Sequence, residues 1–484
     1  MVVRTRRAML RTLGSTVALV TAGTALGACA AGQGAQARPT ARANVAKVTF
    51  QLYVVGIPIN ATTTKLIQDF VDQEFNSRHK GVQATWQIDG GMPGVTAAIL
   101  AGSPAPVSLS SCCGDWPVVL PFLEPLNAYL QQDNVDTTIW PPNLVAQLKV
   151  GGRLYGVPVD AAAQAYIYRQ DILDELGLSY PAPDWTYLDA QRLWNACTSN
   201  KGGKQRSGGT IPWSAGGPFP GIALLAGFGG AYQDSTYTHC LLDRPGSIAA
   251  GEFAFDLLWR KVCVQGDGTP VPALATGQVV FSQGADPSLL WAVQNLGTAT
   301  KWDFIPYPRW PVRPATVGQS SWYALNAFAP DKELAWELFR FSAVDTAWSR
   351  FYMRLTLSPP AQLSLLEEWE ALVRNVAPIL AHKSLKYWRE PAQAGEAYPG
   401  FEFFKYQPVE AGALVSQTWG QIWNQQLGVA EGFTSLARQI DALQGAGAAE
   451  SPPPTAAQRV AAAAAARRKF PAVGPGLAPV TAGL

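Results

Sequence analysis

Between residues 45 and 111 the apolar residues switch period repeatedly, and this alternation restricts the fold more than any other feature of the chain. "VAKVTFQLYVV" (45–55) alternates and is rich in β-branched residues, which predicts a strand. In "TTTKLIQDFVDQEFNSRH" (62–79), Leu66, Ile67, Phe70, Val71 and Phe75 recur at helical spacing, with threonines as the expected caps. "VQATWQID" (82–89) reads as a second strand, "GVTAAILAG" (94–102) as a short helix and "PAPVSLSS" (104–111) as a third strand. Strand–helix–strand order of this kind implies a largely parallel sheet with helices on its faces. Ligands of such sheets bind outside the carboxyl ends of the strands. "VVGIPIN" (54–60) and "SSCCGDW" (110–116) fall at those ends.

The two termini read differently. Arg4, Arg6, Arg7 and Arg11 precede an apolar run, Leu13 to Ala28, which is shorter than the roughly 20 residues of a membrane span. Basic start, apolar centre and small residues together read as an export signal over 1–28. "TRRAMLR" resembles the twin-arginine export motif, and "LGAC" (26–29) resembles the lipobox of bacterial lipoproteins, which implies lipidation at Cys29. Residues 29–44 are small, polar and proline-containing, a flexible tether. Residues 444–484 are rich in Ala and Pro and offer little to bury, which predicts a disordered tail. The stretch between, 45–443, is too long for one comfortable core and points to two lobes.

Lys and Arg number 37 against 35 Asp and Glu, with no basic cluster in the body, so nucleic acid is excluded as a partner. The three histidines, His79, His239 and His382, are scattered, and none stands at zinc-ligand spacing from a cysteine pair. No phosphate-binding glycine loop and no GxSxG elbow is present, and no cofactor is expected. Beyond Cys29, the cysteines are Cys112, Cys113, Cys197, Cys240 and Cys263, an odd number. Their connectivity stays open; the pairing favoured here is Cys240 with Cys263. Adjacent Cys112 and Cys113 do not make the CxxC of a redox catalyst. "SSCCGDW" is read as a binding loop, with Gly114 for a tight turn and Asp115 and Trp116 presented to a ligand. Whether Cys112 and Cys113 are bonded to each other is left open.

Further along, "FLEPLNAYLQQDN" (122–134) has the pattern of an amphipathic helix. A turn at Gly151-Gly152 leads to short strands either side of Asp160. A helix containing "DILDEL" ends at Gly177, and the next begins near Asp184, its candidate N-cap. "GGRLYGVPVD…AYIYRQDILDELGL…DWTYLDA" in this order resembles the extracytoplasmic solute-binding proteins of ABC importers, in the branch that handles sugars and oligosaccharides. "GIALLAGFGGAYQD" (221–234), "CLLDRPGSIAAGEFAFDLLWR" (240–260, Asp243 as cap), "LATGQVVFSQGADPSLLWAV" (274–293), "WDFIPYPRWP" (302–311), "GQSSWYALNAFAPDKELAWELFRFSA" (318–343) and "EGFTSLARQIDALQ" (431–444) extend the resemblance over nearly all of 45–443. "IYRQDIL" stands where an Asn-Lys-Asp is commoner, and "DWTYL" where Thr-Trp-Asp is commoner.

The resemblance implies a two-lobed α/β fold of the periplasmic-binding-protein-like type II, with strands crossing between the lobes and the ligand in the cleft. The crossings are placed near Asp160, Thr316 and Leu357, giving lobe one as 45–160 plus 316–357 and lobe two as 161–315 plus 358–443. It implies a carbohydrate captured outside the cytoplasm, delivery to permease subunits, a monomer held at the membrane by its lipid, and no enzyme activity. Sugar hydroxyls want Asp, Asn and Ser, and sugar C–H faces want indole and phenol rings. The candidate contacts are Asn60, Asp115, Trp116, Ser321, Trp322 and Tyr323 from lobe one, Trp213, Asp286 and Trp291 from lobe two, and Asp160 at a crossing. Competing readings are a lipid-anchored carbohydrate-active enzyme using Asp115 and Asp160, a sensory binding protein, or a peptide or glycerol-phosphate-type ester as ligand. The ester would draw on Arg309, Arg313 and Arg354.

Overall fold

A computed structural model of the chain describes residues 46–52, 59–88, 107–112, 119–160, 162–201, 204–211, 221–234, 238–265, 271–285, 296, 300–319, 321–399, 404 and 408–448. The export signal with Cys29, the tether and the end of the tail lie outside these residues, as do the short helix 94–102 and the loop from Cys113 through Trp116.

The first sheet grows from the predicted alternation. β1 (Ala46–Leu52), β2 (Val82–Ile88) and β3 (Ser108–Cys112) run parallel, with Phe50 opposite both Trp86 and Ser108. The connection from β1 to β2 is the helix Ala61–Val71, continued by one wider turn to Asn76. Its cap is Asn60 and not a threonine: the Asn60 side-chain oxygen accepts the N–H groups of Thr62 (2.9 Å) and Thr63 (3.0 Å). The long helix expected over 122–134 is only Asn127–Gln132. Pro125 cannot continue a helix from the N-terminal side, and Leu123–Glu124 is spent instead as edge strand β4. The hairpin β5 (Lys149–Val150) and β6 (Arg153–Leu154) turns at Gly151-Gly152, both at positive φ. β7 (Gly156–Pro158) and then β8 (Ala162–Ala163) follow, either side of Asp160.

The second sheet holds β9 (Ala165–Arg169), β10 (Ser199–Lys201), β11 (Lys204–Ile211), β12 (Cys263–Gln265), β13 (Val279–Ala285) and β14 (Trp302–Ile305). Its order is β10-β11-β13-β9-β14, with β12 beside β11. The helix Gln170–Leu176 ends on Gly177 in the left-handed conformation. The helix Tyr187–Cys197 is capped by Thr186 in a reciprocal box with Asp189, not by Asp184. A hydroxyl at the cap and a carboxylate three residues on satisfy two free N–H groups at once, which Asp184 stands too far upstream to do. The helix Pro245–Trp259 likewise does without the expected Asp243 cap, because Pro245 in its first turn removes one of the N–H groups that needs a partner.

The chain then returns. β15 (Thr316–Gln319) leads into β16 (Ser321–Asn326), which inserts antiparallel to β3 and β7 in the first sheet, giving the order β2-β1-β3-β16-β4. β17 (Ala397–Pro399) joins β15 and β8 in a small third sheet. Each large sheet has its own core. Phe50, Leu109, Trp322, Leu338 and Trp348 belong to the first, and Tyr166, Trp194, Phe281, Trp419 and Phe433 to the second. A further cluster around Trp302, Trp369 and Trp388 includes Met353 and Leu357, where the chain leaves the helix Thr346–Thr356. Among the described residues no helix is long and apolar enough to cross a membrane.

Cys197, Cys240 and Cys263 are buried thiols, so the expected Cys240–Cys263 disulfide is not formed. Each is held by a different neighbour. The Cys240 N–H donates to Asp441 (2.7 Å) on the closing helix Val429–Ala448, whereas Cys263 opens β12 opposite Gly209. Burial pushes the Cys197 thiol up to about 11.

Gly208 and Gly209 of β11 let the helix Tyr187–Cys197 rest directly on the strand. A Cβ on Gly208 would stand 1.9 Å from the Trp194 carbonyl oxygen. Gly208→Ala is therefore expected to destabilise the protein by about 1–3 kcal/mol through overpacking. The check is a lowered urea midpoint at unchanged slope; an unaltered midpoint would show that helix and strand separate freely.

Candidate functional site

The two large sheets are joined where residues 159–164 run between two other backbone segments. The Val159 N–H donates to Ser321 O (2.8 Å), Gln164 N–H to Val317 O (2.7 Å), and Ala361 N–H to Val159 O (3.2 Å). Asp160 bridges to Pro360. Both sheets present their carboxyl edges to this ladder. In the first, Cys112 at the end of β3 is opposite Ser321 at the start of β16. In the second, Ala285 at the end of β13 is opposite Ala165 at the start of β9.

Asp160 and Ser321 are both buried at the first edge. Asp160 accepts the Ser321 N–H (3.0 Å), and its second oxygen lies 3.4 Å from the Ser321 hydroxyl. The pair pins β16 to the crossing. The enzyme reading paired Asp160 with Asp115, which lies outside the described residues.

Sequence reasoning missed the cluster at the second edge. Gln164, Gln283 and Tyr307 are 8, 5 and 7 % exposed. The Tyr307 hydroxyl is 3.2 Å from the side-chain oxygens of both glutamines. The pairing of β13 with β9 shifts register between Ser282 and Ala285, and a bulge of this kind re-aims a side chain. Here the Gln283 N–H is taken by the Thr210 hydroxyl (2.7 Å). The Tyr166 hydroxyl donates to Thr210 O (2.9 Å), and the Thr316 hydroxyl donates to Gln164 O (2.5 Å). Burial pushes the Tyr307 phenol far up, and burial first, then Tyr307 and Cys263, does the same to Tyr166. Both stay neutral in the physiological range. The signal in the sequence was Gln164 and Gln283 within otherwise apolar strand flanks, which periodicity alone treats as noise.

The other candidates fall elsewhere. Trp322 and Tyr323 lie in the middle of the first sheet, 0 and 2 % exposed, in its core. Tyr323 accepts a hydrogen bond from Trp348 Nε1 (3.1 Å). The strand begins at Ser321, so both of these expected solute contacts belong to a strand buried on both faces. Asn60 is an exposed helix cap. Asp115, Trp116, Trp213, Asp286 and Trp291 lie outside the described residues. Arg354 is 3.5 Å from Glu368 in an ion pair. Among the described residues no cluster of His, Cys, Asp and Glu could hold a metal ion.

Residues 60–346 match the family described as bacterial extracellular solute-binding protein, which is more than half of the chain. The chain belongs to this family. Solved structures repeat the fold of this solute-binding protein over most of its length. The cyclic α-maltosyl-1,6-maltose binding protein of Arthrobacter globiformis is 16% identical with a TM-score of 0.64, covering 82% of this chain and 98% of that one. An ABC substrate-binding protein of Listeria monocytogenes in complex with cycloalternan is 15% identical with a TM-score of 0.60, covering 83% and 100%. An ABC transporter solute-binding protein of Thermotoga lettingae bound with α-D-tagatose is 18% identical with a TM-score of 0.59, covering 83% and 100%. These likenesses establish the two-lobed type II fold of the solute-binding protein.

Asp160→Ala is expected to cost about 1–3 kcal/mol, because it leaves the buried Ser321 N–H without this acceptor. Thermal unfolding without solute reads this directly. An unchanged midpoint would mean that Asp160 does not hold the crossing together.

Proposed function

We propose that the chain is the substrate-binding component of an ABC importer for a neutral carbohydrate, taken up outside the cytoplasm and delivered to a membrane permease. The observation that carries the reading is that proteins sharing this fold along nearly their whole length hold cycloalternan or tagatose, and another is a cyclic α-maltosyl-1,6-maltose binding protein. The facing carboxyl edges with uncharged hydrogen-bonding groups between them support it. Solute bound between the lobes favours their closed arrangement, since both lobes touch it only then. The chain acts by capture and release, without turnover.

Lobe one is assigned to 45–160 plus 316–357, and lobe two to 161–315 plus 358–443. Asp115, Trp116, Trp213, Asp286 and Trp291 are proposed solute contacts, and Asp160 and Ser321 hold the crossing beside them. Cys29 is the proposed lipidation site, and the twin-arginine route the proposed path of export. The lipid holds a monomer at the outer face of the membrane, within reach of the permease.

A thermal-shift screen over sugars, polyols, peptides and phosphate esters tests the solute class. A neutral sugar at 100 times its Kd stabilises by about 2.7 kcal/mol. If only a peptide or a phosphate ester raises the midpoint, the carbohydrate reading fails. Cys29→Ala is expected to move the exported protein from the membrane fraction to the soluble fraction. Retention on membranes would remove the lipid anchor from the scheme.

A further inference from the structure

The second sheet carries hydrogen-bonding capacity that its own residues do not use. A phenol has one proton, so Tyr307 donates to only one of the two glutamine oxygens at a time. Both separations are 3.2 Å, long for an O–H···O bond, which centres near 2.7–2.8 Å. Among the described residues neither Gln164 Nε2 nor Gln283 Nε2 has a hydrogen-bond partner. Neither nitrogen is among the sealed, unpaired polar atoms of the interior, so each reaches the surface. The glutamine stems are nevertheless more than nine-tenths buried. Tyr307 thus holds one or the other amide oxygen from behind, and the two amide nitrogens, with up to four N–H donors, stay unpaired where the end of β13 meets the start of β9.

We propose that Gln164 and Gln283, positioned by Tyr307, form a donor wall of the cleft that selects neutral, oxygen-rich solutes over ionic ones. The proposal rests on the carbohydrate reading above and adds to it the residues of lobe two that read the solute. Amide N–H groups suit the lone pairs of hydroxyl and ring oxygens. They bring no full positive charge, which a phosphate ester would need to leave water. Among the described residues, the cause of the upward push on the Tyr307 phenol is burial. The register shift at Gln283 is the backbone device that turns its amide toward the edge. The arrangement also costs little to use. The side chains are already buried, so solute binding has less side-chain freedom to remove.

The test uses the full mature chain and isothermal titration with maltose, mannotriose, D-tagatose, glycerol 3-phosphate and putrescine. Gln164→Met and Gln283→Met keep side-chain length and remove the amide. Gln283→Glu keeps an acceptor for Tyr307 and removes the donors, and it serves if a methionine variant does not fold. The expected result is that wild type binds one or more of the neutral sugars. Each variant then weakens that sugar about ten-fold or more, while the unliganded melting midpoint stays near wild type. Gln283→Glu further shifts preference toward putrescine, which a purely structural role would not do. Sugar binding unchanged in all three variants overturns the donor wall and leaves the carbohydrate reading standing. Wild type that binds no sugar overturns both, whether or not it takes glycerol 3-phosphate or putrescine.

Discussion

Backbone pairing at the crossing sets the rest of the structure. Residues 159–164 are the inner rail, with Val317 to Ser321 on one side and Pro360 to Ala361 on the other. Because β8 pairs β15, while Ala361 and Pro360 pair with Val159 and Asp160, the three passages of chain between the sheets are tied to one another, and β17 packs on β15 beside them. Gly318 is one place where this tightness shows, since a Cβ there would stand 2.8 Å from the Ala397 Cβ. The ladder also fixes where polar groups can gather. Asp160 and Gln164 are four residues apart on the same rail. One is spent on the first sheet and the other belongs to the cluster of the second.

The chemistry that results is almost free of charge. In the described part of the site, Asp160 is occupied by Ser321, and the remaining groups are amides, hydroxyls and neutral phenols. Such groups exchange hydrogen bonds with a polyol at little cost in desolvation, whereas an anion would lose its water without a full positive charge to compensate. Many of the described tryptophans have a plainer role than ligand stacking. Trp140, Trp194, Trp302, Trp322, Trp348, Trp369 and Trp388 are all among the largest fully buried side chains, where they fill the spaces between sheets and helices.

Much of the fold was legible in the sequence because periodicity reports which face of an element is buried. β1 and β2, the helix ending at Gly177 and the strands either side of Asp160 all stand where the pattern predicts them. The errors are local and have local causes. Caps moved to Asn60 and Thr186 because the cap is chosen by which oxygen can reach free N–H groups, not by which acid is nearby. The helix before Asp133 shrank because Leu123 and Glu124 found a strand partner in β16, some two hundred residues away. Of the site, Asp160 and Ser321 were legible as loop-like polar residues near a crossing. Trp322 and Tyr323 were expected to contact solute beside them, and they are core.

By itself the sequence determined the alternation of strand and helix, the division into two sheets and the family to which the chain belongs, since each depends on patterns over neighbouring residues. Tertiary structure alone decided which polar residues are spent inside the fold and which are offered outward. Asp160 and Gln164 differ little as letters in a chain. One carboxylate meets the Ser321 N–H and is consumed. One amide has its oxygen held by Tyr307 and its nitrogen left at the surface. That difference arises from partners 161 and 143 residues distant, and a hydrogen bond over such a separation exists only once the chain has closed on itself.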